Sequence, residues 1–269
     1  MLSSLRRAYA VFKAYFVSDL VRSKGFIYGL ISFSFWIILF LAPVSLFMGR
    51  EVDQHIVASY AFASLFIFMV YSIATWDWAA ELRWMINNGI LEYYIATGSG
   101  ILPHYLGLIP VSLMWFGLSL TVNYIMITIF IGPPKIIIYD TIMFLAAFTM
   151  MILVVFGYAL FLGATMVSSG VSGFIVEFLS FLLPISTGGL TPLSRLPIYV
   201  RNFALATPFS YPAELIRYSI LGMEPVLNIE NMILIGYCYA TLFFTAGLAY
   251  FKYQFRKGLK KGFVQASLW

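Results

Sequence analysis

Long blocks of apolar residues, broken by short polar punctuation, dominate the chain, and the spacing inside each block predicts helices. Leu2, Leu5, Tyr9, Phe12, Phe16 and Leu20 recur at three- and four-residue intervals, with Arg6, Lys13 and Asp19 on other faces. That period predicts an amphipathic helix lying in a membrane interface over residues 1–25, in preference to a plain basic lead. Six apolar blocks of helical character follow: Phe26–Met48, Ile56–Trp76, Leu106–Ile131, Ile136–Val167, Val171–Ser186 and Asn231–Tyr253. Gly132-Pro133-Pro134 separates the third from the fourth, and Ser168-Ser169-Gly170 the fourth from the fifth.

Most blocks approach or exceed the roughly 20 residues that a helix needs to cross the hydrocarbon layer. The fifth is short: about sixteen residues rise roughly 24 Å, against a core of roughly 30 Å. Beyond it, Ser186-Thr187-Gly188-Gly189-Leu190-Thr191-Pro192 and the apolar residues that follow predict a broken segment. Irregular backbone at membrane depth survives only where protein or a water-filled cavity covers it. Residues 188–222 are therefore expected to form two short re-entrant helices, interrupted near Thr207-Pro208.

Composition turns these blocks into a class. The chain is 62% apolar and 10% charged, with a mean hydropathy of +0.92. A soluble domain of this size could not hide that much apolar side chain. The expected fold is an all-α polytopic membrane protein with six transmembrane helices over residues 26–253. Basic residues gather at the two ends: Arg6, Arg7, Lys13, Arg22 and Lys24, then Lys252, Arg256, Lys257, Lys260 and Lys261. Such residues mark cytoplasmic flanks, which predicts both termini inside a cell membrane, with a basic tail over residues 254–269. Residues 77–104 then lie inside, and residues 188–222 outside. No basic face interleaved with aromatics points to nucleic acid. The first apolar block follows a long charged lead and has transmembrane length, so no cleavable signal is expected.

Few side chains carry chemistry. The one cysteine, Cys238, excludes an intrachain disulfide and a cysteine-built zinc site, and no metal site is expected. Gly170-Val171-Ser172-Gly173 matches a G-x-S-G serine-protease pattern, but neither His55 nor His104 falls in a later helix where a base would meet Ser172. No catalytic residue is therefore assigned. Glu177 and Asn123 lie inside apolar blocks. An intramembrane acid is a pathway or interface candidate, and equally a structural partner for a neighbouring helix; for Asn123 the structural role leads. Trp76, Trp78, Trp84, Tyr93, Tyr94 and Tyr105 cluster at one boundary as interfacial anchors do. Between the second and third blocks, Leu82, Met85, Ile86, Leu91, Tyr94 and Ile95 could share one face of a short helix. Such a face suits either a groove on a soluble partner or a lipid surface.

Three motifs carry a resemblance. Gly89-Ile90-Leu91-Glu92 followed by Thr97-Gly98 looks like the G-T-L-E…T-P coupling segment of ABC-2 type transporter permeases. Gly188-Gly189-Leu190-Thr191-Pro192-Leu193 with Leu196-Pro197 resembles that family's S-G-x-x-x-P-x-x-x-L-P stretch. Thr207-Pro208-Phe209-Ser210-Tyr211 with Glu214 and Arg217 is similar to its N-P-x-x-Y…R. The chain departs from the pattern at Ile90, Gly98 and Thr207.

The resemblance implies the permease subunit of an exporter, moving an amphipathic, lipid-linked or drug-like substrate. It implies a second permease chain, identical or homologous, and a cytoplasmic ABC ATPase subunit as partners. No G-x-x-x-x-G-K-[ST] phosphate loop occurs in the sequence, so no cofactor is expected on this chain. ATP and Mg would sit on the partner. Arg83, Asn88, Gly89, Leu91, Glu92, Tyr93 and Tyr94 would form a cytoplasmic coupling helix that docks the ATPase. Gly188, Gly189, Pro192, Pro197, Pro208, Tyr211, Glu214 and Arg217 would shape the outer gate. Asn123 and Glu177 would be candidates for the pathway or dimer interface. The alternative is an ATP-independent channel or secondary carrier. Carriers often have repeated halves with paired broken helices, and this sequence has one broken region.

Overall fold

A computed structural model describes residues 2–32, 35, 53–98, 100–169, 178, 182, 188 and 191–262. Among these the chain is all helical, with no strand. Helix α1 (Leu2–Tyr15) continues as a π-helical stretch over Phe16–Arg22, and residues 24–32 are helical again. Then come α2 (Gln54–Asn87), α3 (Ile90–Ala96), α4 (Leu102–Phe130) and α5 (Thr141–Ser169). Two short helices, α6 (Ile198–Leu205) and α7 (Ser210–Leu221), precede α8 (Ile229–Lys261). Among the described residues, four helices are long and apolar enough to cross a membrane: α2, α4, α5 and α8. The first expected span is described only as far as residue 32 and residue 35. The fifth, Val171–Ser186, lies outside the described residues except for Phe178 and Leu182.

Two boundaries differ from the hydropathy reading, each for a local reason. Hydropathy ends the second span at Trp76, yet α2 runs on to Asn87 through a π-helical stretch at Ala74–Ala79. No proline or glycine interrupts Trp76–Asn87, so nothing ends the helix until Gly89 takes a left-handed φ of 68°. At 1.5 Å per residue α2 is roughly 50 Å long, well beyond the apolar layer. Hydropathy starts the fourth span at Ile136, but α5 starts at Thr141. Met143 N donates to the Asp140 carboxylate at 2.9 Å, so an N-cap rather than hydropathy sets the start. Residues 132–138 carry no helix or strand.

The chain forms two compact units: Met1–Phe62 with Gly89–Lys135, and Ala63–Asn88 with Ile136–Trp269. In the first, α1 lies directly on α4. The contact depends on Gly107, where a Cβ would come within 2.4 Å of the Ala8 carbonyl oxygen and 2.7 Å of the Val11 Cβ. His104, buried on α4, has the rings of Tyr15, Tyr94 and Tyr105 edge-on at 5.5, 5.3 and 5.8 Å between centroids. The loop after α4 is held to the start of α2. Lys135 N donates to Ser59 Oγ at 2.8 Å, and the His55 ring meets the Pro133 carbonyl at 2.9 Å.

In the second unit α5 and α8 lie side by side and run in the same direction. Tyr237 Oη donates to Ala146 O at 2.8 Å near one end, Phe161 stacks on Phe243 further along, and Gly163 faces Phe251 near the other. Small residues set the approach: a Cβ on Gly247 would be 2.8 Å from Gly157 O. At Gly236 three helices meet, because a Cβ there would strike Met150 of α5 and Tyr211 of α7. The later part of α2 joins through Trp78, stacked on Phe156 with centroids 4.7 Å apart.

The α1–α4 contact yields a test. Gly107→Val inserts side-chain atoms where backbone already stands, a misfit that costs about 1–3 kcal/mol. Trypsin should then cut faster at Arg6, Arg7 or Lys13 in the purified protein. Gly117→Val on the same helix, where a Cβ meets nothing within 4 Å, should leave the cleavage rate unchanged. Equal rates for both variants would show that α1 does not depend on this contact.

Candidate functional site

The broken stretch after residue 187 is organised around two buried charges. Glu214 and Arg217 sit one turn apart on α7, 4% and 1% exposed, with Arg217 Nη1 to Glu214 Oε1 at 3.1 Å. An isolated charge at such a place is strongly unfavourable, and a pair is tolerated when its remaining valences are also met. Here the backbone of the broken stretch meets part of them. Leu193 N donates to Glu214 Oε1 at 3.1 Å, and Arg217 Nη2 donates to the Gly188 carbonyl oxygen.

The sequence permits this loop through its glycine and prolines. Gly188 holds φ at +83°, and a Cβ there would lie 2.8 Å from the Leu193 Cδ2, so both conformation and space call for glycine. Pro192 (φ −59°) precedes a 3₁₀ turn at Leu193–Arg195, and Pro197 (φ −53°) precedes the first turn of α6. Both sit at the pre-set proline φ, where no backbone N–H is required. Leu193 itself is fully buried.

A second tie holds the turn between α6 and α7. Thr207 Oγ1 and Ser210 Oγ both donate to Ala204 O at 2.8 Å, and Tyr211 Oη donates to Leu205 O at 2.6 Å. Pro208 occupies that turn, and Phe209 drives it into the helices. Tyr71 Oη of α2 donates to Phe209 O at 2.5 Å. The Phe209 ring meets Tyr71, Tyr158 and Phe243 edge-on at 5.4–5.5 Å. Helices α2, α5 and α8 thus share one aromatic plug.

The structure therefore brings together Gly188, Glu214 and Arg217 directly, with Pro192, Pro197, Pro208 and Tyr211 framing them. Gly189 and Glu177 lie outside the described residues. Sequence reasoning does not single out Leu193, Phe209 or Tyr71. The first two lie inside the quoted motifs, whereas nothing in the pattern of α2 marks Tyr71.

The expected coupling residues divide differently. Leu82, Met85 and Ile86 of α2 are buried in this chain, and Leu82 approaches Gly163 of α5. That part of the apolar face is therefore occupied internally rather than offered to a partner, because α2 continues past the expected end of the span and carries it against α5. Arg83 is half-buried; Asn88 is exposed and its side chain caps α2 by donating to Trp84 O at 2.8 Å. On α3, which Gly89 opens, Leu91 is buried, while Glu92 and Tyr93 are exposed. Tyr94 turns inward, its hydroxyl 3.1 Å from His104 Nδ1. Arg7 of α1 donates to Gly98 O at 3.3 Å, just after α3. Asn123 is fully buried on α4. Among the described residues no group of His, Cys, Asp and Glu has the makings of a metal site.

Helices of this length and composition are those of a multi-pass membrane protein. The chain matches no protein-family model and no curated protein.

The buried pair makes a sharp prediction. Arg217→Met strands the Glu214 carboxylate and should lower stability by about 3–5 kcal/mol. The double variant Glu214→Leu/Arg217→Met should lose less than the two single changes added together, since neither charge is left alone. Apparent Tm in detergent reads the order, and additive losses would show that the pair is not coupled.

Proposed function

We propose that this chain is the permease subunit of an ATP-driven exporter of the ABC-2 type. It would have six spans and both termini in the cytoplasm, pairing with a second permease chain. The observation that carries the reading is the clasp of Glu214 and Arg217 on Gly188 and Leu193. It joins two of the three motifs on which the resemblance rests into one buried, fully folded feature. A chance likeness in a loop would have no reason to be tied in this way.

Two further observations support it. That α5 and α8 run in the same direction suits one more crossing between them, a fifth span before the broken stretch. The short helix α6 exposes Ile198, Tyr199 and Phe203, an apolar side suited to a helix dipping into a leaflet. By the charge rule α3 faces the cytoplasm, with Glu92 and Tyr93 exposed beyond its buried Leu91 anchor. In this reading it seats in a groove of the ATPase, which binds ATP and Mg, and passes the ATPase motion to the spans. An amphipathic, lipid-linked or drug-like substrate would leave between the two permeases. Export then follows from differential affinity of two states for that substrate.

Two experiments test the reading. Glu92→Lys should abolish co-purification of the ATPase from the native host while leaving the permease folded; an intact complex would remove α3 as the docking element, and a native protein without any nucleotide-binding subunit would remove the exporter reading. Gly188→Ile should keep the dimer and the bound ATPase but reduce export, because the side chain would unseat Leu193 from the clasp. Undiminished export would mean that the broken stretch is not a gate.

A further inference from the structure

Between the fourth and fifth helices the chain does something unusual for its composition. Ile136, Ile137 and Ile138 are each between 43% and 52% exposed, and Tyr139 is 64% exposed. They belong to a segment without helix or strand. A segment resting on protein would bury some of its side chains, whereas here four consecutive apolar side chains are all exposed. A contiguous apolar patch of this kind marks an interaction surface.

What covers it is indicated by what it joins. The exposure continues into α5 at Ile142, 82% exposed, and then at Leu145 and Ile152. Those positions fall three and seven residues apart and lie on one face of a helix long and apolar enough to cross a membrane. The buried side of α5 carries Ala147, Met150, Met151 and Val154, and α8 packs on the helix at Met150 and Gly157. The open face of α5 is therefore the one available to lipid, and the isoleucine strip extends it past the end of the helix.

The backbone sets the depth. Tyr139 N donates to Ser219 O of α7 at 2.8 Å, which fixes the strip beside the clasp-bearing helix. Backbone outside a helix or a paired strand leaves donors and acceptors unmet, so it is not tolerated against hydrocarbon and belongs where headgroups or water reach. Lys135 and Asp140 bracket the strip with charge. We infer that Ile136–Tyr139 is a lipid-binding anchor, its side chains inserted at the boundary between headgroups and acyl chains. It would hold the N-terminal end of α5, and α7 through Ser219, at a fixed height in the bilayer. The inference does not depend on the exporter reading.

The test uses the full chain with its one native thiol removed by Cys238→Ala. Single cysteines are placed by Ile137→Cys, Ile138→Cys or Ile152→Cys, and labelled with an environment-sensitive fluorophore. Each protein is reconstituted in phosphatidylcholine vesicles carrying a nitroxide either near the headgroup or near the acyl-chain end. The labels at 137 and 138 should both be quenched roughly twofold more by the shallow nitroxide than by the deep one, as side chains seated at the headgroup boundary are. The label at 152 should show the reverse order. Quenching of 137 and 138 by aqueous iodide without lipid quenching would overturn the anchor. So would protection from all three quenchers, which would mean that a second copy or another protein covers the strip. If 152 also escapes both nitroxides, the membrane placement of α5 fails, and the strip assignment with it.

Discussion

The folded arrangement of Gly188 and residues 191–222 turns on a single constraint, the burial of Glu214 and Arg217 within one turn of α7. Two opposite charges at 3.1 Å satisfy each other's charge but not each other's hydrogen-bonding capacity. Backbone from the broken stretch takes up part of that surplus: the Leu193 N–H on the carboxylate and the Gly188 carbonyl on the guanidinium. The dependence runs both ways. The loop needs the pair because its freed backbone groups would otherwise be buried unmet, and the pair needs the loop because an apolar surround would leave it poorly solvated. Glycine at 188 and prolines at 192 and 197 let the chain reach this geometry without strain.

Around that clasp the second unit is built from close backbone approach. Gly157, Gly236 and Gly247 let α5, α7 and α8 approach to distances that any side chain would prevent. Small residues of this kind are the usual means by which helices associate in a medium as apolar as they are, where dispersion and shape replace the hydrophobic effect. Phe209 then fills the space left at the α6–α7 turn and is shared by three long helices. The polar clasp and the aromatic plug lie on either side of α6, so the position of that helix is determined from both its ends.

The first unit follows the same logic with different partners. Helix α1 is not simply laid on a surface, because Gly107 draws it onto α4 and Arg7 reaches the carbonyl of Gly98. Among its remaining residues Leu5 and Tyr9 stay exposed. Tyr94 and His104 tie the end of α3 to the start of α4, which leaves Glu92 and Tyr93 as the outward face of that short helix.

Much of this is legible in the amino-acid sequence alone. Blocks of apolar residues imply long helices because a helix satisfies every backbone group within itself, whatever its surroundings. Glycine and proline announce breaks because their effects are local, as at Gly89, Pro197 and Thr207-Pro208. Local chemistry also explains where hydropathy misplaces an end: Asp140 caps α5, and no breaker stops α2 at Trp76. Periodicity, in contrast, marks Leu82, Met85 and Ile86 as an apolar face without saying whose surface it meets. Only the tertiary structure assigns that face to α5, brings Gly188 and Leu193 to charges more than twenty residues away, and puts Tyr71 against Phe209. Those contacts depend on which helices become neighbours, and neighbourhood is decided by glycine-sized surfaces and buried charge acting between distant segments, a property that no local window of sequence contains.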